Sequence, residues 1–266
     1  MKTEGNDMPN YKRPGFIAAV IVLALFIVYY SIMSFLGSVR KVNEIQSEYG
    51  FIKNEKNPVN EQILSDSAFL QSLKEKAFLQ SRIAMAETDS IYLTINLADS
   101  TVDLEISGVV VHSTRIMSEK MSTILARGNE YAVQTMLSKP LVIARDFSTI
   151  KKEPLMIKMA PKDTSEFVPD IIPDTADYEP VNFILEMHNG IRIYVYQSGK
   201  IKAGDGLRQL AFDLWDRIRN TFSSIIKVLT FRIPEYHPYI KIRINRADSK
   251  IIYRAIPFHG QVGVYL

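Results

Sequence analysis

The sequence predicts a single N-terminal transmembrane helix followed by a mainly-β, α+β ectodomain decorated by helices. Three observations predict it. Residues 15–37 form an apolar run without a formal charge. Two stretches, IYLTINLADSTVDLEISGVVVHSTRI and VNFILEMHNGIRIYVYQSGK, alternate as strands around polar turns. A long amphipathic stretch then leads into a closing strand, helix and strand. At 266 residues, 47% apolar and 23% charged, the chain has ample length for a packed core.

The apolar run GFIAAVIVLALFIVYYSIMSFLG reaches roughly 30 Å as a helix, the thickness of a bilayer's hydrocarbon. Lys12 and Arg13 precede it and Arg40 and Lys41 follow it, as interfacial anchors do. A cleaved signal peptide would have an apolar region of about 7–15 residues and a small-residue cleavage site. This run is longer and has no clean site, so an uncleaved signal anchor is expected. Lys2, Lys12 and Arg13 nearly balance Arg40, Lys41 and Lys53 across it. The short first segment and the large one that follows favour residues 1–14 as a cytoplasmic tail. The rest then lies on the periplasmic side of an inner, cytoplasmic membrane.

The chain contains no cysteine, which excludes disulfides, thiolate metal sites and a cysteine nucleophile. The net charge of +3 resides in the first 41 residues, leaving the remainder balanced. A neutral ectodomain lacks the electrostatic footprint of a nucleic-acid binder.

Residues 38–89 read as a helical stalk or linker that breaks near Gly50 and again at Pro58. A helix is expected over 60–87, with Leu64, Leu70, Leu73, Ala77 and Ala84 on one face. The ectodomain proper, 90–266, opens with Ile91–Leu97 and Thr101–Ile116 flanking a short loop. Gly108 suggests a bulge or bend in the second strand. A short helix is plausible over 118–127, ended by Gly128. Residues 161–180 hold four prolines and six acidic residues, an exposed loop. A second hairpin turns at His188-Asn189-Gly190. The inserted helix at about 205–230, capped by Asp205, carries Leu207, Leu210, Ala211, Leu214, Ile218, Phe222, Ile225 and Leu229 on one stripe.

Three pieces of the chain, in order, resemble the YkuD family, the catalytic domain of L,D-transpeptidases that cross-link peptidoglycan. The first hairpin resembles that family's opening hairpin. VNFILEMHNGIRIYVYQS resembles its middle hairpin, whose second strand normally ends in His-Gly. YIKIRINRADSKIIYRAIP resembles its closing motif, which normally reads Ser-His-Gly-Cys-Ile-Arg before an acidic turn, a helix and a proline. Ile242-Arg243-Ile244 matches the Ile-Arg-apolar run, and Asp248 the acid at the helix start. The resemblance implies a YkuD-like β-sandwich over most of 90–266.

The departures from that pattern fall at the reacting groups. Lys241 stands at the cysteine position, Tyr239 at the adjacent histidine, Ile240 at the glycine and Tyr194 at the earlier strand histidine. In the family a thiolate attacks the stem peptide and a histidine accepts its proton. Without a thiol that chemistry cannot occur, so the resemblance implies a pseudoenzyme with no catalytic residues. Its relic groove would be marked by Tyr194, Tyr239, Lys241 and Arg243.

Lys241 and Arg243 alternate with Ile240, Ile242 and Ile244, as on a half-exposed strand, where a lysine is ordinarily inert. His112 and His188 are expected in or beside turns, His237 after Pro234-Glu235-Tyr236, and His259 in a loop. No metal spacing, nucleophile elbow or phosphate loop occurs, so neither metal nor cofactor is expected. Asp213 and Asp216 are expected to pair with Arg217 or Arg219. The expected role is a scaffold or binding subunit at the inner membrane, with other envelope proteins as partners. Recognition of peptidoglycan stem peptides through the relic groove is the alternative, and an enzyme with a replaced nucleophile a lesser one. Scaffolding requires an exposed apolar patch on the 60–87 or 205–230 helix.

Overall fold

The computed structural model describes residues 14–51, 66–152, 180–199 and 203–266. The second break expected in the stalk at Pro58, residue Leu64 and almost all of the acidic loop lie outside these residues. Chain contacts divide the protein into two units. One comprises the residues up to Asn43 together with Asp216–Tyr236; the other comprises Glu44–Trp215 and His237–Leu266.

Helix α1 (Pro14–Tyr49) is long and apolar enough to cross a membrane, with mean hydropathy 2.7 over its best window and none of that window buried. It stops at Tyr49, and Gly50 closes it by donating to the Gln46 carbonyl at 2.9 Å. Its last turns belong to the larger unit, where Ile45 is buried. The break expected near Gly50 is thus observed.

In the larger unit, α2 (Ser67–Ala86) starts on Asp66, whose side chain accepts from Ala68 N at 3.1 Å. Its buried positions are Ala77, Ser81 and Met85, and Ala84, expected on the apolar face, is exposed. Met85 rather than Ala84 seats the helix because Gly263 leaves room for it: a Cβ there would lie 2.6 Å from the Met85 methyl.

Nine strands form one mixed sheet. They are β1 (Tyr92–Asn96), β2 (Thr101–Ile106), β3 (Val109–Arg115), β4 (Ser118–Met121), β5 (Leu141–Ser148), β6 (Phe183–Met187), β7 (Arg192–Ser198), β8 (Tyr239–Asn245) and β9 (Gln261–Tyr265). Their order is β3-β2-β1-β9-β5-β6-β7-β8-β4. The two edge strands, β3 and β4, are consecutive in the chain, and only Ile116 and Met117 separate them. Met117 N–H donates to the Arg243 carbonyl of β8 at 2.7 Å, so that short link ties the two ends of the sheet together. The core is mainly aliphatic, with Leu93, Ile95, Leu185, Ile193, Ile240 and Ile244 fully enclosed beside the aromatic Phe183.

Two parallel pairs, β1–β9 and β7–β8, need long crossovers. The β7–β8 crossover contains α5 (Ala203–Leu229), and α6 (Arg246–Ala255) separates β8 from β9. Asp205, the expected cap of α5, instead falls inside its first turn.

Local chemistry corrects three expectations. Thr101–Ile116 is two strands, not one: Ser107 (φ 48°) and Gly108 (φ 84°) are both left-handed, the requirement of a tight type I′ hairpin. The irregularity in the ladder lies at Leu104/Glu105 instead. Gly108→Val is expected to cost about 1–2 kcal/mol, because a β-branched residue is strained at that φ; thermal melting beside Gly108→Asn, which tolerates it, checks this. Residues 118–127 are not one helix. Ser118–Met121 pair with β8, and only Thr123–Arg127 form a short helix, α3, which ends at Gly128. The third correction is His112, which lies within β3 rather than at a turn, 3.2 Å from Asp248 Oδ1.

Helix α4 (Glu130–Leu137) and strand β5 follow; Asn129 caps the former by accepting from Ala132 N at 3.0 Å. His188 does sit at the β6–β7 turn, and His237 Nδ1 lies 3.0 Å from the Gly190 carbonyl.

Candidate functional site

The parallel β7–β8 pair brings the four marked residues together. In register, Tyr194 lies beside Lys241, Tyr196 beside Arg243 and Arg192 beside Tyr239. Strand alternation sends Ile193, Val195, Ile240, Ile242 and Ile244 into the core and leaves the tyrosines and cations on the other face. That alternation was expected for β8 and is observed.

Lys241 Nζ sits 4.7 Å from the Tyr194 ring centre and 5.1 Å from that of Tyr239. The two rings meet edge to face at 6.3 Å. Tyr196 stacks on Tyr194 at 6.3 Å, and the Arg243 guanidinium lies 5.8 Å from the Tyr196 ring. Each such cation–ring contact contributes about 0.5–1 kcal/mol where partly solvated. The ring faces attract a lysine ammonium.

Beside this ladder lies a cleft of about 240 Å³, lined by Ser118, Glu119, Lys120, Tyr196, Gln209, Asp213, Lys241, Ile242 and Arg243. Of the marked residues, Lys241 and Arg243 line the cleft; Tyr194 and Tyr239 instead hold Lys241 from the side. Sequence reasoning missed Tyr196, Lys120 and Asp213. The spacing Tyr194-x-Tyr196 could have shown the first. Lys120 is brought in by pairing opposite Lys241 across β4–β8, which no local pattern reveals. Asp213 accepts from the Tyr196 hydroxyl at 2.9 Å, correcting the expectation that it pairs along its own helix. Asp216 does pair as expected, with Arg219 at 2.8 Å.

One end of the same strand face is held by a buried ion network. Glu186 on β6 lies 2.7 Å from Arg145 and 3.1 Å from Arg192. Burial opposes its ionisation. The Arg145 hydrogen bond and the Arg192 and Arg145 charges outweigh that, with His237 adding, and hold its carboxyl below the ordinary 4.5. Among the described residues, no group of three acidic or histidine side chains is arranged to hold a metal ion. No histidine lines the cleft.

The chain matches no family model, no curated protein and no solved structure. What the residues define by themselves is a mixed nine-stranded sheet with helices, a long apolar N-terminal helix, and a tyrosine-buttressed cationic cleft.

Proposed function

We propose that this protein is a membrane-anchored, non-catalytic binding and scaffold subunit of a cell-envelope assembly, with a YkuD-like domain whose ancestral reaction has been lost. Helix α1 is its single-pass anchor in the inner membrane, and the sheet-bearing unit is periplasmic. The observation that carries the reading is the cleft where Lys120, Lys241 and Arg243 converge beside stacked tyrosines. Three cations against Glu119 and Asp213 suit an anionic ligand, and the fixed tyrosines suit a ligand with apolar stretches between its charges. A peptidoglycan stem peptide, with its carboxylates, has this chemistry. The scaffold reading also rests on exposed apolar side chains, Leu79 and Ile83 on α2 and Leu207 and Leu210 on α5.

Co-sedimentation of the full chain in detergent with peptidoglycan sacculi tests it, with Lys241→Glu/Arg243→Glu as the comparison. Saturable binding that the double variant loses by tenfold or more, about 1.4 kcal/mol or above, is expected for a groove that reads cell wall. Binding equal in the two proteins places the contact elsewhere and removes the groove from the proposal. No binding by either leaves protein partners as the ligands of the scaffold.

A further inference from the structure

The smaller unit contains a helix that leaves most of its apolar stripe exposed. Along its part of α5, Ile218, Phe222, Ile226 and Leu229 are all exposed, and Phe231, just past the helix end, is 83% exposed. The residues of that segment that lose their exposure are Asp216, Val228 and Pro234 in full, and Arg219, Asn220, Ser224, Ile225, Lys227 and Ile233 in part. A helix packing in water buries its apolar stripe and exposes its polar one. This arrangement is stable where the face meets lipid or a partner and not water.

Contacts with α1 give the segment a depth. The Tyr29 hydroxyl donates to the Val228 carbonyl at 3.3 Å, and the Tyr29 and Phe231 rings lie 6.2 Å apart. Gly37 faces Pro234 so closely that a Cβ on it would lie 2.5 Å from the Pro234 carbonyl oxygen. From Gly37 to Tyr29 is about 12 Å along α1, most of one leaflet's share of a hydrocarbon core about 30 Å thick. The chain therefore descends alongside α1 to the level of Tyr29, reverses at Phe231 (φ 56°), and returns to the level of Gly37.

The end of α5 closes through bonds to the carbonyls of Ile226, Lys227 and Val228. Thr230 N and Thr230 Oγ1 both donate to the Ile226 carbonyl, at 3.0 Å each. The Lys227 carbonyl accepts from Arg232 N at 2.8 Å and Thr230 Oγ1 at 2.9 Å, and that of Val228 from Phe231 N and Tyr29. This Schellman-type closure is common at helix ends in water too, and it is compatible with lipid, where each unsatisfied carbonyl costs several kcal/mol. One charge also fits. Lys227 Nζ reaches Glu235 at 2.8 Å, beside Pro234 and so toward the Gly37 level, as a snorkelling lysine does. Arg232, one residue beyond the tip, is exposed near the Tyr29 level and is the costly charge of this arrangement.

We infer that Ile218–Pro234 is a second membrane element, a re-entrant wedge inserted beside α1 into the leaflet at its Gly37 end, whose apolar face contacts acyl chains. The inference rests on α1 being a membrane span. Because the chain has no cysteine, single nitroxide labels can be placed at Val28→Cys, Phe231→Cys and Phe258→Cys. The full chain is reconstituted in phosphatidylethanolamine/phosphatidylglycerol vesicles, and label collisions with oxygen and with an aqueous nickel chelate are compared. Val28 and Phe258 are exposed positions on α1 and on the sheet-bearing unit. The expected result is an oxygen-to-nickel ratio at 231 matching that at 28 and far above that at 258. A lipid ratio at 28 with an aqueous one at 231 overturns the wedge and leaves the span standing. A label at 231 shielded from both reagents means protein covers the tip, and overturns it equally. An aqueous ratio at 28 removes span and wedge together.

Discussion

Arg82→Ala is expected to destabilise the sheet-bearing unit by about 3 kcal/mol. Glu105 is only 1% exposed, yet it is a carboxylate. Arg82 donates twice to its Oε2, at 3.2 and 2.9 Å; Tyr92 donates to the same oxygen at 3.1 Å and Thr94 to Oε1 at 2.7 Å. Deleting the arginine leaves a buried charge with two hydroxyl donors and no balancing cation. Breaking such a pair typically costs about 3–5 kcal/mol. Arg82 remains partly open to solvent, so water replaces some of its contribution and the lower end applies. For a domain of this size that corresponds to a melting temperature lower by roughly 6–12 °C, read by near-ultraviolet circular dichroism in detergent. Arg82→Ala/Glu105→Gln should recover part of the loss, because no buried charge is then orphaned. A shift under about 2 °C for Arg82→Ala would show that water replaces the arginine at Glu105. The same network raises Tyr92 above its ordinary value of 10.0, through burial first and then the Glu105 charge. A raised acid contributes stability below pH 10 that is lost as the pH climbs through the folded value.

How much of this was legible in the sequence depended on whether the signal was local. The strands Tyr92–Asn96 and Phe183–Met187 were legible through alternation between polar turns, although both are buried on nearly every residue, more than alternation implies. The turn at Ser107-Gly108 was read as a bend because Ser-Gly is weaker than Asn-Gly as a hairpin signal, and Val109–Val111 continues the strand pattern beyond it. Ser118–Met121 read as helix because Ser-Glu-Lys-Met has good helix formers; pairing with β8 overrides that propensity. The Glu105 and Glu186 networks were invisible, since each joins segments distant in the chain.

The amphipathic stripe of α5 was legible, but its direction was not. A stripe says that one face is apolar; it does not say whether protein or lipid covers that face. The small polar positions opposite it, Asn220 and Ser224, carried the missing information, together with the uncharged tract of α1 beside them. The β7–β8 face was half legible for the same reason. Lys241 and Arg243 were correctly placed off the core by alternation, while their tyrosine neighbours on β7 were set by a parallel register that α5 separates in sequence.

Glu186→Ala is the second large effect expected, about 3–5 kcal/mol, and it bears on the cleft as well as on stability. Arg192 is 8% exposed in its side chain and stands on the same face of β7 as Tyr194 and Tyr196. Without Glu186 it is a buried cation whose carboxylate is gone, whereas Arg145, 66% exposed, is simply returned to water. The damage should therefore come almost entirely through Arg192. Glu186→Ala/Arg192→Met should be less destabilised than Glu186→Ala alone. The depressed carboxyl gives the sign with pH: Glu186 contributes stability that is present above 4.5 and is lost as the pH falls through the lower folded value. Thermal melts between neutral pH and about pH 3 should thus fall more steeply for the natural chain than for Glu186→Gln. Binding to sacculi separates support from recognition. If Glu186→Gln melts lower at neutral pH yet binds unchanged, the ion network only supports the tyrosine–cation ladder. If binding falls in proportion to that of Lys241→Glu/Arg243→Glu while the fold persists, the recognition face extends along β7 to Arg192, and the ligand is longer than the cleft alone accommodates.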